Sequence, residues 1–184
     1  MPQDNALHKA ANKGDLDECK KWVEEPPEGE DKIDVNELGA NDRTAMHRAA
    51  GGGFLEICEY LHAMGGDISK ADKSGRTPLH WAAIAGFVEC IQFLVAKGAA
   101  IDAETKSKMN ILHAGCEAQK IEVVKATMEY LKDKDDLREK MTGAANSDGK
   151  LPFQLAEAAK NKEIIKVLQA GGDKHAASSS CTIM

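Results

Sequence analysis

Residues 77–83, Thr77-Pro78-Leu79-His80-Trp81-Ala82-Ala83, decide the fold, because versions of this heptapeptide recur along the chain. His80 has counterparts at His47 and His113, each 33 residues away, and another at His8. The other versions of the heptapeptide are residues 5–11, 44–50, 110–116 and 151–157. A repeat of this period predicts similar two-helix units that stack on one another.

The residues flanking the heptapeptide predict a turn followed by two short helices. Asp72 and Gly75 suit the first and last positions of a type I turn. Thr77 can cap the helix that follows, and Gly86 can end it. The next helix carries an apolar stripe at spacings of three and four, formed by Val88, Ile91, Leu94 and Val95. One unit cannot bury such a stripe, so neighbouring units must pack together.

This pattern resembles the ankyrin repeat, whose signature TPLHxAA is followed by a glycine, a second helix and GADVNAxDxxG. The third repeat matches this signature almost throughout, including Gly86, Lys97-Gly98-Ala99 and Ile101-Asp102-Ala103. The resemblance covers residues 4–173 and implies an all-α solenoid of paired antiparallel helices with β-turn fingers. We expect a single domain over residues 1–175, with about five repeats. Their expected bounds are 4–32, 33–66, 67–99, 100–141 and 142–173.

Two insertions and two substitutions depart from the pattern. Glu24–Lys32 is acidic and rich in proline, which predicts an exposed loop. Lys132–Met141 is charged and is expected to lengthen the second helix of repeat four or to add a turn after it. Asp42 and Lys108 stand where a finger normally has glycine, so we expect those two fingers to be distorted.

Composition narrows the class of protein. The net charge of −6 argues against nonspecific binding to nucleic acid. No apolar run approaches the roughly 20 residues of a membrane span. The segment Met1-Pro2-Gln3-Asp4 does not open a secretory signal, so we expect a cytoplasmic protein. Four cysteines without CxxC spacing are predicted to be buried thiols in a reducing compartment: Cys19, Cys58, Cys90 and Cys116.

The equivalent histidines do not predict catalysis. They occupy one repeat position and should form a row, whereas a metal or a catalytic pair needs groups that converge. The resemblance implies that each histidine joins the threonine of its motif to backbone in the adjoining repeat. The chain has no glycine-rich phosphate loop, HExxH or GxSxG motif. We therefore expect a non-enzymatic protein with no cofactor and no metal.

The resemblance also implies that partner proteins contact the finger tips and first helices. The predicted protein-binding residues are Arg43, Arg48, Lys73, Ser74, Arg76, Trp81, Ile84 and Lys108. Cations beside a tryptophan are typical of a binding hot spot, so we expect an acidic segment of a partner protein across repeats two to four. The alternative is that the finger charges are merely solvated and Trp81 packs between repeats.

These features favour a monomeric adaptor or inhibitor that binds another protein. One alternative is an assembly chaperone for a multisubunit complex. Another is a membrane-recruited adaptor, since Cys181-Thr182-Ile183-Met184, at the end of the small, polar tail 176–184, resembles a CaaX prenylation motif. The resemblance implies a farnesyl group on Cys181 and reversible membrane association, because one lipid chain anchors only marginally. A chance match of four residues is the competing interpretation.

Overall fold

In the computed structural model, which describes residues 3–178, the chain forms α-helices joined by short turns, and this range contains no β-strand. The all-α fold of stacked helix pairs predicted from the sequence is confirmed. By its internal contacts the chain divides into two compact units. The boundary in the sequence lies between Ile101 and Asp102. The single domain expected over residues 1–175 stays a prediction. Cys181 and its predicted lipidation lie outside the described residues.

The first unit is a stack of three helix pairs. Its helices are α1 (Ala6–Lys13), α2 (Leu16–Glu24), α3 (Ala45–Gly52), α4 (Leu55–Ala63), α5 (Pro78–Ala85) and α6 (Val88–Ala96). The first helices pack in the order α1, α3, α5, and the second helices in the order α2, α4, α6. Their large, fully buried side chains are Leu7, Met46, Ile57, Leu61, Leu79 and Leu94. These side chains form the core of the unit. Of the stripe predicted on α6, Ile91 and Leu94 are buried, whereas Val88 and Val95 are half-exposed and Cys90 is buried beside them.

The second unit contains two helix pairs and two further helices. Its helices are α7 (Ile111–Glu117), α8 (Ile121–Tyr130), α9 (Asp135–Gly143), α10 (Pro152–Ala158), α11 (Lys162–Ala170) and α12 (Lys174–Ser178). In this unit α7 packs against α10, and α8 packs against α11. The short α12 contacts α11 and α9.

The charged insertion of the second unit forms a helix of its own. The sequence predicted a longer α8 or an added turn, but α8 ends at Tyr130 and α9 begins at Asp135. Leu131 and Met141 are buried on either side of the break and anchor both ends of the insertion. Asp135 and Asp136 lie in the first turn of α9, where carboxylates interact favourably with the helix dipole.

The acidic insertion of the first unit is the exposed loop predicted from the sequence. Helix α2 ends at Glu24, and no helix forms again before residue 40. The residues from Glu28 to Lys32 are all exposed. At the start of the loop, the Tyr60 hydroxyl donates to the Glu24 carboxylate at 2.7 Å.

The finger expected to be distorted by Lys108 keeps its turn. Lys108 adopts a left-handed conformation with φ 54°, and its N–H donates to the carbonyl oxygen of Thr105 at 2.9 Å. In repeat three the Gly75 N–H makes the equivalent hydrogen bond to the Asp72 carbonyl oxygen at 2.8 Å. The expectation of a distorted finger was therefore wrong for repeat four. In repeat two, both Asn41 and Asp42 have positive φ, 62° and 60°, so the tip of that finger differs, although its turn still closes with the Asp42 N–H donating to the Gly39 carbonyl oxygen at 3.1 Å. Lys108 closes its turn without glycine by taking a backbone conformation that costs about 1 kcal/mol.

The turns between first and second helices allow the cost of a left-handed backbone conformation to be tested in both directions, by adding a glycine in one repeat and removing one in another. Gly86 ends α5 with φ 102°, and Gln119 occupies the equivalent position after α7 with φ 55°. We expect Gln119→Gly to raise the free energy of unfolding by about 0.5–1 kcal/mol, because glycine adopts this conformation without a Cβ clash. Gly86→Ala should lower it by about 1 kcal/mol. Urea denaturation of both variants measures the two effects, and a loss of stability in Gln119→Gly would contradict the argument.

Two further observations concern the cysteines and the lengths of the helices. Cys19, Cys58, Cys90 and Cys116 are free and buried, as predicted. Within residues 3–178, none of the helices combines the length and apolar character needed to cross a membrane.

Candidate functional site

The finger of repeat three is a closed turn organised by Asp72. The Asp72 N–H donates to the carbonyl oxygen of Arg76 at 2.8 Å across the base of the finger. Its carboxylate oxygen Oδ1 accepts hydrogen bonds from the backbone N–H of Ser74 at 2.8 Å and of Arg76 at 2.9 Å. These bonds fix the backbone that carries Lys73 and Ser74, both exposed at the tip.

The fingers of repeats two and three are joined to each other. The N–H of Lys73 donates to the carbonyl oxygen of Asn41 at 2.9 Å. The finger of repeat two closes in the same way as its neighbour, because the Gly39 N–H donates to the Arg43 carbonyl oxygen at 2.7 Å. The two tips therefore form one connected surface in the first unit.

Trp81 lies behind this surface, on α5. Its Nε1–H donates to Oδ2 of Asp72 at 3.1 Å, which fixes the orientation of the indole. The guanidinium carbon of Arg43 lies 4.0 Å from the centroid of the ring, and that of Arg76 lies 5.5 Å away. Both arginines are within cation–π range, so Trp81 and two finger cations form one cluster. The Trp81 side chain is half-buried.

Asp72 is the internal counter-ion of this cluster. Its side chain is 1% exposed, and Oδ2 lies 3.6 Å from Nε of Arg43. Burial opposes ionisation of the carboxyl, but hydrogen bonds from Arg76, Ser74 and Trp81 outweigh burial and hold the pKa of Asp72 below its ordinary value. The charge of Arg43 is thus partly neutralised from within, whereas Lys73 forms no side-chain ion pair with another residue of 3–178.

Arg48 is neutralised in a similar way by a residue near the start of the chain. Its guanidinium nitrogen Nη2 lies 2.6 Å from Oδ2 of Asp4, and Asp4 Oδ1 also accepts from the Ala40 N–H at 2.9 Å. Burial opposes ionisation of Asp4, and the hydrogen bond from Arg48 is the main reason that its pKa is lowered. Arg48 therefore ties the N-terminal segment to repeat two and offers less free charge than its position suggests.

The structure separates the predicted binding residues into groups. Arg43 and Arg76 both lie against the ring of Trp81, and Lys73 and Ser74 are exposed at the adjoining tip. Ile84 is half-exposed one turn further along α5. Lys108 is exposed in the second unit. Arg48 is engaged with Asp4.

The equivalent histidines connect repeats, as the resemblance implied. The Thr44 N–H donates to Nδ1 of His47 at 3.0 Å, so this nitrogen carries no proton, and Nε2–H donates to the Arg76 carbonyl oxygen at 3.1 Å. Burial lowers the pKa of His47 to about 4, so the ring is neutral at pH 7. Nε2 of His8 lies 2.9 Å from the Arg43 carbonyl oxygen in the same manner. His47 thus supports the base of the finger that carries Arg76.

The part of the chain that the structure describes contains no group of three histidine, cysteine or acidic side chains placed to hold a metal ion. What the fingers and α5 do offer is a fixed cationic surface with an oriented indole. Sequence reasoning recognised Asp72 as a turn residue but not as the partner of Arg43 and Trp81. The signal was present, because a carboxylate at the base of a finger lies close to the first helix that follows it.

The sequence of the first unit matches a known protein family. Residues 7–105 match the family described as ankyrin repeats, in three copies. The match covers the first three helix pairs, with the fingers of repeats two and three and Trp81 inside it. The two further repeats predicted after that range stay a prediction.

Proposed function

The chain belongs to the ankyrin-repeat family, whose arrays bind other proteins and are typically non-enzymatic, and from this premise we propose that it is an adaptor or inhibitor. In this proposal, a partner protein binds the fingers and first helices of repeats two to four. The observation that carries the proposal is the cluster of Arg43, Arg76 and Trp81 around the buried Asp72. An oriented aromatic ring beside arginines is the composition of an interface hot spot.

The chemistry of this cluster favours a partner segment with carboxylates. Arg76 lies beside Trp81 and Lys73 is exposed at the tip of the same finger, and acidic side chains would complement both cations. Because Asp72 holds the ring and Arg43 in place before binding, little side-chain freedom remains to be lost at these two positions. Charge complementarity of this kind would contribute mainly to the rate of association and to specificity.

The test uses the double variant Lys73→Glu/Arg76→Glu. Arg43 is left unchanged, because a glutamate there would meet the buried carboxylate of Asp72 and disturb the fold. The matched control is Lys9→Glu/Lys20→Glu, which makes the same change of charge at two exposed positions on α1 and α2. We expect the first variant to reduce partner capture by about tenfold or more and the control to leave it near the wild-type level.

Affinity purification from the cells of origin, with quantitative mass spectrometry, measures this capture. The identity of the co-purified proteins also separates an adaptor or inhibitor from an assembly chaperone, which would retain subunits of one complex. Equal recovery of the same partners with both double variants would rule out the finger surface as the binding site. Circular dichroism of each variant establishes that a loss of capture does not come from unfolding.

A further inference from the structure

The insertion helix α9 gives the second unit a groove that a regular two-helix repeat does not have. The groove is a cavity of about 570 Å³, open to solvent, between α8, the end of α11 and the start of α9. Met128 of α8 and Val167 and Ala170 of α11 line it with apolar groups. Arg138 of α9 lines it from the inserted segment.

Two glycines keep the floor of this groove open. A Cβ atom on Gly171 would lie only 2.6 Å from Cε of Met128, so any side chain there would displace the methionine. Gly172 follows with φ 83° and faces the guanidinium of Arg138 at a distance of about 3.6 Å from its Cβ position. The resulting floor consists of a flexible methionine, a valine and exposed backbone, which can adapt to an apolar side chain.

The rim of the groove is cationic in a protein whose net charge is −6. Lys125, Lys132 and Arg138 line it, with Glu129 as the one acid among the lining residues. Each cation is paired at i,i+3 with Glu122, Glu129 or Asp135, whose side chains are 71%, 76% and 82% exposed. The two lysine pairs are exposed on both sides and contribute little, so carboxylates from another molecule can replace them at small cost. Arg138 is held more firmly, because its side chain is 21% exposed and also donates to the Lys132 carbonyl oxygen at 2.9 Å.

We propose that this groove binds an acidic amphipathic helix of a partner protein. A furrow between two packed helices accepts the ridge of a third helix, and apolar residues at i, i+3 or i+4, and i+7 would enter the floor. Glutamate or aspartate residues on the flanks of that helix would pair with Lys125, Lys132 and Arg138. This inference is independent of the finger surface, since its residues all lie in the second unit.

The test uses designed helical peptides as probes and the full chain as receptor. One peptide of about 18 residues carries leucine at helical spacing and glutamate elsewhere, and the second carries lysine in place of glutamate. Methyl NMR signals of Met128 and Val167 report binding at the floor. We expect saturable shifts of both methyl groups with the glutamate peptide and none with the lysine peptide.

Two charge variants complete the experiment. Lys125→Glu/Lys132→Glu reverses two rim cations and should weaken binding of the glutamate peptide by about tenfold or more. Lys162→Glu/Lys166→Glu makes the same change at exposed positions of α11 outside the groove and should leave the affinity unchanged. The proposal is overturned by equal binding of both peptides, by unchanged affinity in the rim variant, or by shifts that appear only with anionic lipid vesicles.

Discussion

Replacement of Asp72 by alanine should lower the free energy of unfolding by about 3 kcal/mol. The carboxylate is nearly inaccessible, and it accepts hydrogen bonds from two backbone N–H groups and from the indole of Trp81. Alanine would leave these donors without their acceptor and Arg43 without its counter-ion. Urea denaturation measures the loss. The matched control is Asp67→Ala, whose exposed carboxylate accepts from the Ser69 N–H in a similar local turn and should cost less than about 1 kcal/mol.

The pH dependence of the same residue gives a second measurement. Because the pKa of Asp72 is lowered in the folded protein, its carboxylate contributes stability above the pKa of the unfolded chain. That contribution is lost as pH falls through the lower pKa of the folded state. The difference in stability between wild type and Asp72→Asn should therefore be largest near pH 7 and shrink as pH falls below about 4. A difference that stays constant over this range would mean that the charge of Asp72 does not matter.

A loss of binding in an Asp72 variant would have a different meaning from a loss at the finger tips. Asp72 is nearly inaccessible, so it acts by orienting Trp81 and Arg43. Lys73 is exposed and can contact a partner directly. Comparison of Asp72→Asn with Lys73→Glu/Arg76→Glu in the same capture assay thus separates orientation of the surface from its charge.

The repeating part of the fold was readable from the sequence because its signals are local. Thr77 caps α5 and Gly86 ends it, as their chemistry predicts, and the apolar stripe of α6 is buried at Ile91 and Leu94. The heptapeptide period then fixes which pairs are equivalent. Stacking follows, because each pair exposes an apolar face that only a neighbour can cover.

The parts that sequence reasoning missed depend on contacts between distant residues. Asp4 and Arg48 are 44 residues apart, and the sequence has no pattern that pairs them.

The insertion helix α9 was missed for another reason. Its residues are strongly charged, and only burial of Leu131 and Met141 against the second unit decides that they form a separate helix. The sequence therefore named finger and first-helix positions for partner binding, which stay a prediction, but it did not indicate the contacts among them, such as those of Asp72 with Arg43 and Trp81.

Leu79→Ala should lower the free energy of unfolding by about 3 kcal/mol or more, within the range that is usual for replacement of a buried leucine by alanine. Aromatic residues are only 4% of the chain, and the buried positions of α3 and α5 include Ala45, Ala49, Ala82 and Ala83. Alanine side chains add little apolar area, so a few large residues supply most of the hydrophobic stabilisation. Leu79 is one of them and is fully buried.

The small neighbours also limit relaxation around the shortened side chain. An alanine has no rotatable side chain that could move into the space left by leucine, so more of the cavity should persist. The matched control is Ile84→Ala on the same helix, where the half-exposed side chain should cost only about 1 kcal/mol. Guanidinium denaturation should show a lower midpoint for Leu79→Ala with an unchanged slope. If the two variants lost equal stability, the core would not depend on its few large residues, and the stacking of α5 would have to be maintained by backbone contacts and by hydrogen bonds between repeats, such as that from His47 Nε2 to the Arg76 carbonyl oxygen.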